Sequence, residues 1–396
     1  YDWILSLKLQ WPSECVQWSP VSIENGASTF RHVYYSERTG QNDAPNTIIS
    51  SSVKVPQPKL TKSADVCKRW STDPVGNPLL SADFKVRKRL IHPGEVSRLR
   101  CPKEGMVLTL SDTTNIFWWM MDKQPHRSRE SMKGKPSVPD LTLVGHAERA
   151  EYALKCSVSQ NNVVVASGGQ DRHVLLWSIR DADLGSTRPV GSTRSLENHT
   201  KLVGHEKSIG DVSFNRSRPN ELCSVGDDGL LLFWDTREKT LVEKVKAQEG
   251  EVISVDWSPH DEKKILTCGN DVIHLWDRRK MDAPSRVYTG HVGNVNVVQW
   301  NPMVLGIFGS CAADRQLIVW NSESSTSLFR HRGHVNGEVV DFEWCSDPVD
   351  PWLISSVSYD SSEAGGSTVQ IWRMLDFIYR DRTEVVEELE FFARHH

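Results

Sequence analysis

A histidine followed about thirty residues later by a tryptophan recurs along this 396-residue chain. The histidine usually follows a glycine, and the tryptophan closes a run of aliphatic and β-branched residues. The pairs are His92–Trp119, His146–Trp177, His205–Trp234, Gln248–Trp276 (with glutamine in the histidine position), His291–Trp320 and His334–Trp372. Repeats of this form are typical of β-propellers, in which each repeat is one four-stranded blade around a central axis. The sequence therefore predicts an all-β propeller.

The first blade of the predicted ring lacks this signature. Residues 14–20, 31–37, 46–54 and 85–91 have the alternating pattern of four strands, which makes seven blades in all. After Trp372 the chain enters a charged stretch, so the last blade lacks a fourth strand and would leave an open sheet edge. We expect residues 4–9 to supply that strand and to close the ring with the two ends of the chain.

Two regions follow from this division. Residues 1–380 are predicted to form the seven-bladed propeller, and residues 381–396 a short C-terminal α-helix packed on its side. Val385, Val386, Leu389 and Phe392 recur among glutamates, which predicts an amphipathic helix with an acidic outer face. Such a helix either binds a partner or only caps the side of the propeller.

Two long intervals between tryptophans indicate insertions in the repeat. Residues 122–140 and 180–200 are rich in serine, proline, glycine and charge, so we predict loops on the face opposite the histidines. A third insertion at residues 361–366 is expected on the histidine face. Residues 56–84 form another long predicted excursion.

The histidines are interpreted as structural residues. The pattern resembles the WD repeat, in which the histidine, an aspartate, the tryptophan and a serine form a buried hydrogen-bonded chain. Buried polar groups need such mutual satisfaction. The serines expected in it include Ser167, Ser224 and Ser310, and the aspartates are Asp112, Asp171, Asp228, Asp271, Asp314 and Asp360.

Composition and motifs argue against several classes of function. The net charge of −4 and pI near 6.4 speak against binding driven by phosphate neutralisation, so we predict no direct sequence-specific nucleic-acid partner. No apolar run approaches the length of a membrane span. No HExxH, GxSxG or phosphate-loop spacing is present. We therefore predict a protein that is not an enzyme, with no catalytic residues, metal or cofactor.

Several short motifs together resemble one family of WD-repeat proteins. They are Trp11-Pro12-Ser13, the run from His92 to Val96, residues 224–228, Trp372-Arg373-Met374 and Ile378-Tyr379-Arg380. The chain is similar to the histone-binding WD-repeat proteins, the retinoblastoma-binding and chromatin-assembly-factor small-subunit family. The insertion between Asp360 and Gly366 resembles the plant branch of the flowering-time regulator FVE. The resemblance covers nearly the whole chain.

The resemblance implies a nuclear, non-catalytic chromatin adaptor. Its expected partners are core histones and subunits of deacetylase and polycomb-type complexes, within which the chain would act as a monomer. The expected role is transcriptional repression, such as flowering-time control. A divergent scaffold that has lost histone binding is an alternative.

The resemblance also implies two histone-binding surfaces. One is a side groove that holds a histone helix, and it maps to Phe377, Ile378, Tyr379, Leu389 and Phe392. The other is the mouth of the histidine face, which receives a basic tail, and it maps to Glu95, Arg98, Glu151 and Tyr152. This sequence departs from the family's pattern at positions that usually hold acids or an aromatic residue, namely Gln10, Gly210, Asn294, Asn296 and Tyr359. Loss of charge-assisted pairs there is expected to weaken tail binding.

A further motif occurs twice after the third strand of a blade. Asp235 and Arg237, and likewise Asp277 and Arg279, fit the WDxR pattern. This pattern resembles the box by which propellers dock on the adaptor of cullin ubiquitin ligases. An arginine fork at that point can pair bidentately with an acid. A substrate receptor of such a ligase is therefore an alternative function, and an ion pair within the blade is the structural alternative.

Overall fold

The chain forms a ring of seven antiparallel sheets, as a computed structural model shows. The structure describes residues 1–25, 28–39, 44–56, 58, 84–127, 135–150, 152–180, 184, 194–360 and 367–395. The seven-bladed propeller with a short C-terminal helix is therefore confirmed. The predicted insertion at 361–366 and most of residues 56–84 lie outside the described part.

Each blade contains at least four strands, arranged from the central axis outwards. Blades 1 to 3 contain β2 (Val16–Asn25), β3 (Ser28–Glu37), β4 (Thr47–Pro56) and β5 (Phe84–Ile91); β6 (Val96–Arg100), β7 (Met106–Ser111), β8 (Ile116–Met120) and β9 (Leu141–Val144); and β10 (Leu154–Val158), β11 (Asn162–Gly168), β12 (His173–Arg180) and β14 (Thr200–Val203). The strands of blade 1 match those predicted without the repeat signature.

Blades 4 to 6 follow the same plan, although blade 5 has Gln248 in the histidine position. They contain β15 (Ile209–Phe214), β16 (Glu221–Gly226), β17 (Leu230–Asp235) and β18 (Thr240–Lys246); β19 (Ser254–Trp257), β20 (Lys264–Gly269), β21 (Val272–Asp277) and β22 (Arg286–Thr289); and β23 (Val295–Trp300), β24 (Ile307–Ala312), β25 (Leu317–Asn321) and β26 (Ser327–His331).

Blade 7 joins the two ends of the chain. It contains β27 (Glu338–Trp344), β28 (Leu353–Tyr359), β29 (Thr368–Arg373) and, outermost, β1 (Trp3–Lys8). β1 pairs antiparallel with β29 from Trp3 opposite Arg373 to Lys8 opposite Thr368. The sheet edge that β29 would otherwise expose is thereby covered.

One inserted loop contains a strand that the sequence did not predict. Within residues 180–200, which were expected to be loop, Ser195–Glu197 forms β13. It pairs parallel with β9, so blade 2 has five strands, one of them from the segment that connects β12 to β14 of blade 3. The prediction of an unstructured loop was wrong here, because three residues with exposed ends carry no hydrophobic pattern.

The hydrophobic core is divided among the contacts between neighbouring blades. Each buried cluster draws on two consecutive blades, and together the clusters run round the whole ring. The last contact, between blades 7 and 1, includes Trp3, Leu5, Trp18 and Leu353. Each sheet therefore hides both faces against its neighbours, and the loops at the two ends and the outer rim remain accessible.

The repeated histidines lie inside this core. In blade 4, His205 contacts Asp228 at 2.9 Å and Ser224 Oγ at 2.7 Å, and the indole of Trp234 donates to the same hydroxyl at 2.8 Å. Blade 6 repeats the arrangement in His291, Asp314, Ser310 and Trp320. These imidazoles are satisfied by their own blades, so they hold the sheet and its turn together.

Blades 2 and 7 use other partners, and the expected roles of Asp112 and Asp360 were wrong. His334 Nδ1 contacts Thr368 Oγ1 at 2.8 Å instead of Asp360, since β29 brings that hydroxyl beside the imidazole. His92 Nδ1 contacts the carbonyl of Gly94 at 2.8 Å, while Asp112 accepts the amide of Glu95.

Blade 3 has only half of the expected chain. His146 contacts Asp171 at 3.0 Å, but the indole of Trp177 donates to the carbonyl of Val144. The Ser167 hydroxyl therefore receives no indole N–H, and it has no hydrogen-bond partner within the described residues. The prediction that Ser167 completes a buried chain was wrong.

Candidate functional site

The mouth of the histidine face contains an internally paired charge cluster. Glu95 Oε2 lies 2.6 Å from Arg38 Nη2, and Arg38 Nη1 also contacts Glu14. Burial raises the pKa of Glu14, although Arg38 opposes that shift. Glu95 is thus where the tail-binding prediction requires it, but its carboxylate already has a cation. A basic peptide would have to compete with Arg38 for it.

The second predicted tail residue, Arg98, is buried. Its guanidinium lies 3.2 Å from Asp341 of β27 and donates to the Tyr152 carbonyl at 3.1 Å. Its side chain is only 7% exposed, so Arg98 links three blades from within the channel and does not face a ligand. The Tyr152 ring lies 5.9 Å from the guanidinium carbon and is half exposed, whereas Glu151 lies outside the described residues.

Sequence reasoning missed Arg38 and Asp341, which determine what these predicted residues do. Asp341 was visible as an acid at an alternate position of the inner strand, so its channel-facing side chain was open to prediction. Arg38 lies at the end of a blade without the repeat signature. Its contact with Glu95 joins residues that approach only because blades 1 and 2 are neighbours.

The predicted side groove lies where the chain leaves blade 7. Tyr379 stacks on Trp352 with ring centroids 4.3 Å apart, and Ile378 packs against the same hydrophobic cluster. Phe377 is half-buried, with the Arg380 guanidinium 5.9 Å from its ring centroid. These three residues therefore form a partly covered apolar floor on the rim of the propeller.

The C-terminal helix α1 (Arg382–His395) begins three residues after this floor. Val385 is buried, whereas Val386 and Leu389 are 42% and 43% exposed. Arg380 holds the first turns of the helix through Glu384 at 2.8 Å and Glu388 at 3.1 Å. Among the described side chains of the helix only Val385 is buried, and apolar and acidic side chains face solvent along the rest of it. The side chain of Phe392 lies outside the described part of the structure.

The two WDxR motifs form the ion pairs of the structural alternative. Arg237 Nη2 lies 2.8 Å from Asp235 and Arg279 Nη2 lies 2.5 Å from Asp277. Hydrogen bonding from Arg237 lowers the pKa of Asp235 to about 2. Both arginines remain exposed on the face opposite the histidines, at 64% and 67% of the side chain. Their outer N–H groups are therefore accessible to a further acceptor.

Within the described ranges, no group of three or more histidine, cysteine, aspartate or glutamate side chains is placed to hold a metal ion. None of the helices in those ranges is both long and apolar enough to cross a membrane.

Comparison with known proteins matches the central repeats to a repeat family and nearly the whole chain to two plant proteins. The WD40 family (WD domain, G-beta repeat) matches residues 138–178, 196–235, 239–277 and 283–321. The chain is 36% identical over 434 residues to WD-40 repeat-containing protein MSI4 of Arabidopsis thaliana, covering 100% of this chain and 83% of that protein. It is 28% identical over 408 residues to WD-40 repeat-containing protein MSI3 of the same plant, covering 97% and 88%.

Proposed function

Because this chain belongs to the WD-repeat family of the retinoblastoma-binding and chromatin-assembly-factor small subunits, as MSI4 does, we propose that it is a nuclear chromatin adaptor. It binds core histones and presents them to deacetylase and polycomb-type complexes. It catalyses no reaction itself. We propose that this activity serves transcriptional repression, such as flowering-time control.

The observation that carries this proposal is the exposed face of α1 beside the apolar floor. Val386 and Leu389 are 42% and 43% exposed on α1, whose first turns Arg380 links to the end of the floor through Glu384 and Glu388. Four glutamates lie along the same helix. An amphipathic basic helix would bury its apolar side on the valine and leucine and place its cations near the glutamates. Core histones are basic proteins, but Glu384, Glu388 and Glu390 already pair with Arg380 or Arg394. The exposed valine and leucine therefore supply the main attraction, and Glu387 adds to it.

The histidine-face mouth supports the proposal less. Glu14, Arg38 and Glu95 together carry one net negative charge, and Arg98 is paired within the channel. A basic tail would gain only that residual charge unless it displaced Arg38. We therefore place the main histone contact at α1 and the apolar floor.

Replacing both Val386 and Leu389 by serine should weaken binding of purified core histones at least about tenfold, since the variant loses apolar contact area at the rim and keeps its charge. Isothermal titration calorimetry at low salt measures the affinity. The matched control is Val242→Ser on β18, because Val242 is 57% exposed on the outer strand of blade 4, and it should bind like the unmodified chain. Absence of histone binding by the unmodified chain would overturn the proposal, and unchanged binding by the double variant would move the contact elsewhere.

A second candidate partner is the adaptor of cullin ubiquitin ligases, which the exposure of Arg237 and Arg279 favours. Arg237→Ala combined with Arg279→Ala should abolish capture of the purified adaptor in a pull-down. Arg218→Ala is the matched control, because Arg218 is 59% exposed on the same face and pairs with Glu221 and Glu262. Retained capture by the double variant would exclude docking through these motifs.

A further inference from the structure

Two exposed valines lie between blades 6 and 7 on the histidine face. Val292 follows His291 and is 87% exposed, and Val335 follows His334 and is 72% exposed. They are the two most exposed large hydrophobic side chains in the described part of the chain. Neither contributes to the core, so intramolecular packing does not account for either side chain.

Hydrogen bonds show that the two valines flank one turn. The Val292 amide donates to Asp314 Oδ2 at 3.0 Å, and Arg315 Nη1 donates to the Val335 carbonyl at 3.1 Å. Arg315 adopts a left-handed backbone with φ of 66°. The backbone of Arg315 thus has a conformation that residues other than glycine rarely adopt, and its guanidinium lies against Val335.

A second arginine joins this turn from the β26–β27 connection. Arg332 Nε donates to Gln316 Oε1 at 3.1 Å, and Gln316 in turn donates to Asp314 at 3.3 Å. We call Val292, Val335, Arg315 and Arg332 the valine–arginine patch.

The valine–arginine patch carries positive charge that no ion pair within the described ranges neutralises. Asp314 is 6% exposed and is already bonded to His291 at 2.9 Å. Among the described residues, neither Arg315 nor Arg332 has a carboxylate within ion-pair distance, and Glu338, half-buried at the start of β27, pairs with neither. Two guanidinium groups beside two exposed valines thus remain available to a ligand.

We propose that the valine–arginine patch binds an acidic peptide segment of a partner protein. In that segment one apolar side chain, flanked by carboxylates, would contact the two valines. The valines supply the apolar contact, and each arginine can receive a carboxylate with two donors. A phosphate-bearing ligand would suit the arginines, but it would gain nothing from the valines. The partner is opposite in charge to a histone, so this surface goes beyond the proposed function and stands or fails independently of it.

Fluorescence anisotropy with the full chain tests the proposal. The probe is a short labelled peptide of glutamate and serine with one central leucine, and its comparator carries serine in place of the leucine. Charge reversal by Arg315→Glu with Arg332→Glu should weaken probe binding about tenfold, since two surface charge pairs are lost. Val292→Thr with Val335→Thr keeps the β-branch, and it should weaken binding several-fold.

The matched control is Arg172→Glu in blade 3. Arg172 follows Asp171 in the corresponding turn and has a similar left-handed φ of 64°, but it has no exposed valine pair beside it. This variant should bind the probe like the unmodified chain.

Four outcomes would overturn the proposal. They are no salt-sensitive binding of the leucine probe, equal binding of the serine comparator, full binding by the charge-reversed variant, and loss of binding in Arg172→Glu equal to that in the double variant. A single-stranded oligonucleotide that binds the patch and ignores the valine substitutions would also overturn it in favour of a phosphate ligand. Calorimetry with core histones on the same variants reports the proposed function separately.

Discussion

Replacing Arg373 by methionine should lower the free energy of unfolding by about 3–5 kcal/mol at neutral pH, because the change leaves a buried carboxylate without its cation. Arg373 is 2% exposed and lies 2.6 Å from Asp350, which is equally buried. The same guanidinium contacts Asp2 at 2.5 Å and the carbonyl of Pro56 at 3.3 Å. One side chain thus connects the first residues of the chain, blade 7 and blade 1.

Urea unfolding followed by circular dichroism measures this effect. A double variant, Arg373→Met with Asp350→Leu, should recover much of the loss, because it removes the isolated charge together with its partner. Arg218→Met removes an exposed ion-pairing arginine, and it should unfold like the unmodified chain. Equal stability of Arg373→Met and Arg218→Met would contradict the role assigned to this contact.

Lowering the pH from 6.5 to 4 should destabilise the protein through its buried histidines. Burial lowers the pKa of His92 to about 4 and that of His331 to about 4. At pH values between about 4 and the ordinary histidine pKa near 6.5, these histidines are protonated in the unfolded chain but remain neutral in the folded chain. Stability is therefore greatest above this window and falls as the pH decreases through it, by about 3 kcal/mol for each histidine over the full range.

The substitution His92→Gln isolates this effect, since Gln248 already occupies the corresponding position in blade 5. The variant should be less stable at pH 7, but its stability should depend less on pH between 6.5 and 4. Burial raises the pKa of Asp350 and Glu343 and works in the opposite direction, so the difference between variant and unmodified chain is the quantity to measure. Parallel curves for the two proteins would show that His92 takes up protons equally in both states.

The propeller was predictable because its information is local and repeated. A strand such as Val295–Trp300 alternates in hydrophobicity, follows the Gly290-His291 pair and stops two residues before Pro302. Each of these signals can be recognised on its own. The strand at Trp3–Lys8 was predictable because the last blade lacked a fourth strand and the N-terminal segment was the part of the chain not yet assigned to a blade. Regularity thus compensated for the absence of a signature in blade 1.

The binding surfaces were less predictable because they depend on pairings between blades. Arg98 was predicted to bind a ligand, but its guanidinium pairs inside the channel with Asp341, which lies 243 positions later in the chain. Glu95 lies at the expected mouth, but Arg38 determines its free charge. Contacts of this kind depend on the side-chain conformations of neighbouring sheets, and hydrophobic periodicity does not encode them.

The short strand Ser195–Glu197 has a consequence for how this chain can be divided. This strand belongs to the connection between β12 and β14 of blade 3, but it pairs with β9 at the edge of blade 2. The order of strands in space therefore departs from their order along the polypeptide. Deleting the third repeat as one contiguous segment would also remove the outermost strand of blade 2. Repeat swapping or deletion should therefore respect a two-repeat unit here, whereas the strictly sequential blades 4 to 6 allow exchange one repeat at a time.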